Sequence, residues 1–204
     1  MLKSRFRERF KGVHIEIGLL FSRVGISPNA WTALSLAPAA LGFAALYGRN
    51  LPLALLLFAV SGFIDIIDGN VARVTKSVSN LGAFLDGIID RYVEFALYLG
   101  LLFYLEGTEQ VLLPNGIWVC LLVFGAMMPA FITAYADHRK VIEDEEKLRN
   151  LGGFIERFER LSLLYAGMAL GILNPVYLTY TVILTALLSN ITAVERIYRV
   201  ISAK

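Results

Sequence analysis

Asp65-Ile66-Ile67-Asp68-Gly69-Asn70-Val71-Ala72-Arg73, then eight residues to Gly82, then Asp86 and Asp90 place four carboxylates in one short window of a chain that is 57% hydrophobic. Asp65 and Asp68 are three residues apart and Asp86 and Asp90 four, so on helices each pair projects from one face. Lys76, Ser77, Ser79 and Asn80 supply a polar turn between the pairs, which predicts two antiparallel helices joined by a short connection. Ionisable groups within a membrane are costly and mark function. Helix capping accounts for one carboxylate but not for four on two facing stripes. Converging carboxylates repel one another unless a cation lies among them, and hard oxygen ligands suit Mg²⁺ or Mn²⁺. A divalent metal site, with two ions, is therefore expected.

Outward from this window the chain is apolar. With 204 residues and only 18% charged side chains, 1–204 reads as a single integral membrane domain of all-α class with no soluble module. Six segments are read as transmembrane helices, at about 30–48, 52–72, 82–105, 115–136, 159–173 and 175–195, a bundle over 30–195. Ser27-Pro28-Asn29 is the start signal of the first. Ahead of the bundle, residues 3–23 interleave Lys3, Arg5, Arg7, Arg9 and Lys11 with Phe6 and Phe10, and then run through Val13, Ile15, Ile17, Leu19, Leu20 and Phe21. That pattern predicts an amphipathic interfacial helix lying at an anionic membrane surface; with no small-residue cleavage site, it does not read as a signal peptide.

The basic residues set an orientation. If both termini are cytoplasmic, the external connections are about 49–51, 106–114 and 173–175, and of the 19 Lys and Arg residues only Arg49 lies there. The carboxylate window then faces the cytoplasm, where nucleotides are available. The connection 137–160 mixes Glu143-Asp144-Glu145-Glu146 with Arg139, Lys140, Lys147 and Arg149, and is expected to be a solvated surface helix. Arg157 and Arg160 approach the fifth segment, and Arg196 and Arg199 end the sixth on the same side. Guanidinium groups suit bidentate phosphate binding, so a second anion pocket facing the carboxylates is expected beside simple anchoring to headgroups. Cys120 lies in an apolar run, which excludes a disulfide framework and predicts a buried thiol. His14 and His138 are not spaced as a metal pair and are expected to be interfacial polar residues.

The pattern D-x2-D-G-x2-A-R-x8-G-x3-D-x3-D, filled at every fixed position by Asp65, Asp68, Gly69, Ala72, Arg73, Gly82, Asp86 and Asp90, resembles the signature of the CDP-alcohol phosphotransferases. The likeness extends over most of the chain, since that family's membrane domain has about this length and six helices. It implies a Mg²⁺- or Mn²⁺-dependent enzyme of phospholipid biosynthesis that transfers a substituted phosphoryl group from a CDP-alcohol, in particular a CDP-linked lipid, to an acceptor alcohol with release of CMP. By the same resemblance Asp65, Asp68 and Asp86 are metal ligands, while Asp90 takes the proton of the acceptor hydroxyl and touches the second metal. Arg73 is expected on the donor diphosphate. Gly69, Ala72 and Gly82 are small enough for the nucleotide to approach the backbone. Ser79 and the family's Pro-Asn-x-x-Thr, matched by Pro28, Asn29 and Thr32, are expected to contact the CDP moiety.

The acceptor is read from Glu156-Arg157 and Glu195-Arg196, which are similar to the branch that makes phosphatidylinositol phosphate or its archaeal ether-lipid counterpart from inositol 1-phosphate. Arg157 and Arg196 then bind the acceptor phosphate. That branch tends to carry Ser-Tyr followed closely by a basic residue where this chain has Ala134-Tyr135-Ala136-Asp137, so glycerol phosphate or another polar alcohol stays open. The partners expected are the donor, the acceptor, membrane lipids and a second copy of the chain as homodimer, and no nucleic acid. A prenyltransferase would place its Asp motifs on distant helices, and a divalent-cation transporter would not need Gly69, Ala72, Arg73 and Gly82 at this spacing.

Overall fold

Ser27 starts the first helix that can be followed from end to end. Its Oγ accepts a hydrogen bond from the Ala30 N–H at 3.3 Å, and Pro28 occupies the first turn, where a missing N–H goes unused anyway. The computed structural model describes residue 12 and residues 14–149 and 151–203. Of the expected interfacial helix, Lys3, Arg5, Phe6, Arg7, Arg9, Phe10, Lys11 and Val13 lie outside the described residues, whereas residues 14–22 are helical.

The first expected membrane segment is two helices, α1 (Pro28–Leu34) and α2 (Leu36–Tyr47). Pro38 explains the interruption. It has no N–H for the Leu34 carbonyl and its ring crowds that oxygen, so the helix is disturbed one turn earlier, at Ser35. Ser35 stitches the break: its Oγ donates to the Thr32 carbonyl at 2.7 Å, and its own carbonyl accepts from Ser61 Oγ at 2.8 Å. A turn through Gly48 and Arg49, the latter at φ 59°, brings the chain to Asn50, whose side chain caps α3 (Leu51–Val74) by accepting from the Leu53 N–H. α3 packs on α2 and α1. It ends where Lys76 takes φ 55°, and α4 (Asn80–Leu105) follows.

Two compact units divide the chain within α4, Met1–Leu97 and Tyr98–Lys204. In the first, Trp31, Ile67 and Val71 form a buried cluster, and Ile17, Phe21, Ile26 and Ile64 pack against it. The described part of the N-terminal helix is thus fixed to α1 and α3, with the Phe21 ring edge-on to Trp31 at 5.5 Å. The second unit holds α5 (Asn115–His138), α6 (Glu145–Arg149), α7 (Arg157–Gly171) and α8 (Pro175–Ser202). Asn115 closes the turn before α5 by donating to the carbonyl of Leu105 and to Thr108 Oγ1, each at 3.0 Å. α8 packs on both α5 and α7.

Two expectations need correction. The connection read as a solvated helix forms only the five residues of α6 and buries Ile142, Leu148 and Leu151 against Ala136, with Val200 and Ala203 packed on them. The dense charges between those apolar positions hid their spacing. Cys120 is exposed, not buried. It is two residues from each of the buried Trp118 and Leu122, so it falls roughly 200° round α5 from both. Of the six expected membrane segments, four among the described residues are long and apolar enough to cross a membrane by length and composition: Pro28–Tyr47, Leu51–Val74, Asn115–His138 and Pro175–Ser202. α4 carries Asp86, Asp90, Arg91 and Glu94, and α7 has only 15 residues. Among the described residues the rest is helix and turn, apart from one isolated bridge between Val111 and Leu113.

Candidate active site

The C-terminal half of α3 and the first turns of α4 carry the motif, and the turn between them is short enough to make the two helices neighbours. Asp65, Asp68 and Asp86 each bring one carboxylate oxygen to within 4.8 Å of the other two. Asp68 is buried, 5% exposed, and its Oδ2 has no hydrogen-bond partner. A buried carboxylate oxygen left without a donor is destabilising by itself, so the site calls for a cation. Three carboxylates in this arrangement fit a hard divalent ion. None of them is a helix cap. Asn50 caps α3, and at the start of α4 the Gly82 N–H donates to Ser79 Oγ at 3.0 Å. Asp90 is buried one turn beyond Asp86 and is not a member of the trio. One turn further on, the buried Glu94 pairs with Arg91 Nη1 at 3.1 Å.

Beside the trio lies a cleft of about 240 Å³. All eight residues expected to bind the donor line it: Pro28, Asn29, Thr32, Gly69, Ala72, Arg73, Ser79 and Gly82, together with Asp68 and Asp86. Ser77, Val78 and Ala83 complete the wall, and of these Val78 and Ala83 carry no polar signal that a sequence reading could find. Gly82 is the tightest point. A Cβ there would come within 3.2 Å of both Asn29 Oδ1 and Ser79 Oγ, so the two polar groups converge on a residue that must stay small. Asn29 is not the cap of α1, a role that Ser27 fills, which leaves its amide directed at the cleft wall formed with Gly82. Arg73 Nη1 donates to Asn70 Oδ1 at 2.9 Å.

The two arginines expected to bind an acceptor phosphate belong to the second unit. Arg157 is half-buried at the start of α7, between Glu156 and Glu159, which close a capping box. Arg196 is 8% exposed and its guanidinium already has protein acceptors: Nη1 donates to the Pro129 carbonyl at 3.1 Å and to Thr133 Oγ1, and Nη2 to Glu156 Oε1 at 2.7 Å. Its Nε is buried without a partner. The Glu156 pair was not foreseen, because 40 residues separate the two side chains in sequence. Arg160, expected near the same pocket, is buried and donates from Nε to Tyr98 OH at 3.0 Å. His138 is exposed at the end of α5, and His14 meets Asn70.

Comparison with known proteins adds a context to this geometry. A family model described as CDP-alcohol phosphatidyltransferase matches residues 25–192. Archaetidylinositol phosphate synthase of Pyrococcus horikoshii is 29% identical over 195 residues, spanning 96% of this chain and 94% of that protein. Phosphatidylinositol phosphate synthase of Mycobacterium marinum is 32% identical over 190 residues, spanning 90% of this chain and 76% of that protein. Among solved structures, phosphatidylinositol phosphate synthase of Mycobacterium tuberculosis in complex with manganese and citrate superposes with a TM-score of 0.79 at 26% identity, covering 93% of this chain and 89% of that one. The same enzyme with CDP-DAG bound superposes equally well, at 0.79.

Proposed function

Because the chain belongs to the CDP-alcohol phosphatidyltransferase family, and is thus a membrane-embedded transferase of substituted phosphate groups, we propose that it transfers the phosphatidyl-type group of a CDP-linked lipid to inositol 1-phosphate with release of CMP. The observation that carries this reading is the meeting of all eight expected donor residues in one cleft with two of the three clustered carboxylates. Family membership sets aside the prenyltransferase and the cation transporter. The inositol acceptor is supported by the relatives, which are named for inositol phosphate lipids.

In this proposal Asp65, Asp68 and Asp86 hold Mg²⁺ or Mn²⁺, and Asp90 reaches a second ion. Bound there, divalent ions supply positive charge to the donor diphosphate as charge builds on the departing CMP. Arg73 adds hydrogen bonds to the same diphosphate. Asn29 and Thr32 bond the cytosine edge, Ser79 the rest of the nucleotide, and Gly69, Ala72 and Gly82 admit it against the helix backbones. Asp90 accepts the proton of the acceptor hydroxyl, and Arg157 and Arg196 bind the acceptor's phosphate. The single domain over 1–204, the interfacial helix over 3–23, six membrane helices with α4 and α7 added to the four apolar stretches, and a cytoplasmic active site are parts of the same proposal, supported by the basic-residue pattern. Nothing among the described residues supports the homodimer that the sequence reading allowed for.

Glycerol phosphate is the second reading, favoured by Ala134-Tyr135-Ala136-Asp137. Against it, Arg139 stands over the Tyr135 ring at 5.2 Å and donates to its hydroxyl, so a basic group does accompany that tyrosine. A screen of CDP-lipids and phosphorylated alcohols in vesicles, read by CMP release, decides: release with inositol 1-phosphate and not with glycerol phosphate is the expected result, and the reverse overturns the acceptor.

A further inference from the structure

Arg73 is held from behind. Its Nη1 donates to Asn70 Oδ1 at 2.9 Å, while its Nη2 lies 3.9 Å from the place a Cβ would take on Gly69, a residue of the donor cleft. Asn70 is 2% exposed, and its Nδ2 is 3.1 Å from His14 Nδ1 on the N-terminal helix. The direction of this chain of hydrogen bonds is fixed by chemistry. A guanidinium has only donors, so Asn70 must turn its oxygen to Arg73 and its NH₂ to His14, and His14 Nδ1 is then the acceptor with the proton on Nε2. The contact between helices that allows it is close. A Cβ on Gly18 would come within 2.7 Å of the Asn70 carbonyl oxygen and 2.6 Å of Val74 Cγ2, and Ile17 and Phe21 on either side pack into the Trp31 cluster.

We propose that His14 and Asn70 are positioning residues for the donor diphosphate: docking of the N-terminal helix through Gly18 sets the His14–Asn70–Arg73 chain, which pins one arm of the Arg73 fork and leaves the other turned to the cleft. This inference rests on the donor reading of that cleft. A guanidinium on a flexible stem loses rotamer freedom when it binds, and a fork already fixed at one nitrogen loses less. The N-terminal helix is then a part of the donor site and not only a membrane anchor.

The test is a double-mutant cycle on the full chain in lipid, with CDP-diacylglycerol as donor and CMP release as readout. His14→Leu is expected to raise the donor KM by about threefold to tenfold, the range of one hydrogen bond, with kcat and the acceptor KM near those of the wild type. His14→Asn, whose Oδ1 can stand where Nδ1 stands, is expected to recover most of that loss. In an Arg73→Ala background His14→Leu is expected to add nothing, because there is no guanidinium left to position. If His14→Leu raises the donor KM by the same factor with and without Arg73, the helix acts through packing and the relay is overturned. Asn70→Leu, which removes both hydrogen bonds from the α3 side, takes its place in the cycle if His14→Leu does not fold. A wild type that releases no CMP from any CDP-lipid overturns the donor reading and the relay with it; additive losses in an active enzyme overturn the relay alone.

Discussion

At the scale of single residues, three of the carboxylates lie within 4.8 Å of one another and the fourth, Asp90, stands one turn further along α4. Asp68→Ala or Asp86→Ala removes a member of the trio, and turnover is expected to vanish at any Mg²⁺ concentration. Asp90→Asn is expected to slow single-turnover CMP release by about 10²–10⁴-fold while donor affinity, measured by calorimetry at saturating Mg²⁺, changes far less. Loss of donor binding as complete as for Asp86→Ala would make Asp90 a metal ligand and not the base. Arg73→Ala is expected to weaken donor binding itself, by roughly 1.5–3 kcal/mol for each charge-assisted hydrogen bond lost. Gly82→Ala presses on Asn29 and Ser79 together, so it should raise the donor KM with the acceptor KM unmoved. These residues were legible because fixed spacing along two helices brought them to one place. Asn70 was within reach of the same logic, being three residues before Arg73. His14 was not, since only the docking of a distant helix joins it to the site.

At the scale of elements, the apolar segments gave most helices to within a few residues, because long hydrophobic runs bounded by Pro and Asn caps leave little choice. The exceptions have local causes. Pro38 divides the first segment one turn before itself, and the charges of 139–149 concealed Ile142 and Leu148. The packing of α5 on α8 is one of the element contacts with little tolerance. A Cβ on Gly125 would come within 2.9 Å of the Asn190 backbone nitrogen and of Ser189 Cβ, and backbone cannot rotate away. Gly125→Ala is expected to lower the midpoint of thermal inactivation in detergent, with a cost of about 1–3 kcal/mol. Gly62→Ala, where no atom lies within 4 Å of the added methyl, serves as the control and should leave the midpoint in place.

At the scale of the whole molecule, the proposed topology rests on the distribution of charge and not on hydropathy alone. α4 falls outside the four apolar stretches because of the acidic and basic residues that mark the candidate site, Asp86, Asp90, Arg91 and Glu94. With both termini cytoplasmic, cysteines placed one at a time at 106–110 on a Cys120→Ser background should react with an impermeant maleimide in intact cells, and cysteines at 139–144 should not. Reaction at 139–144 would invert the arrangement. The length of α8 has a separate consequence. Its 28 residues measure ~42 Å, against ~30 Å for a bilayer's hydrocarbon, so this helix must lean or stand clear of the lipid at one end. Glu195, Arg196 and Arg199 crowd its last turns, so the thickness of the surrounding membrane decides how far these groups rise into the headgroup layer. Acyl-chain length thereby becomes a dial on the enzyme, and vesicles of graded chain length should give a maximum in activity and not a plateau.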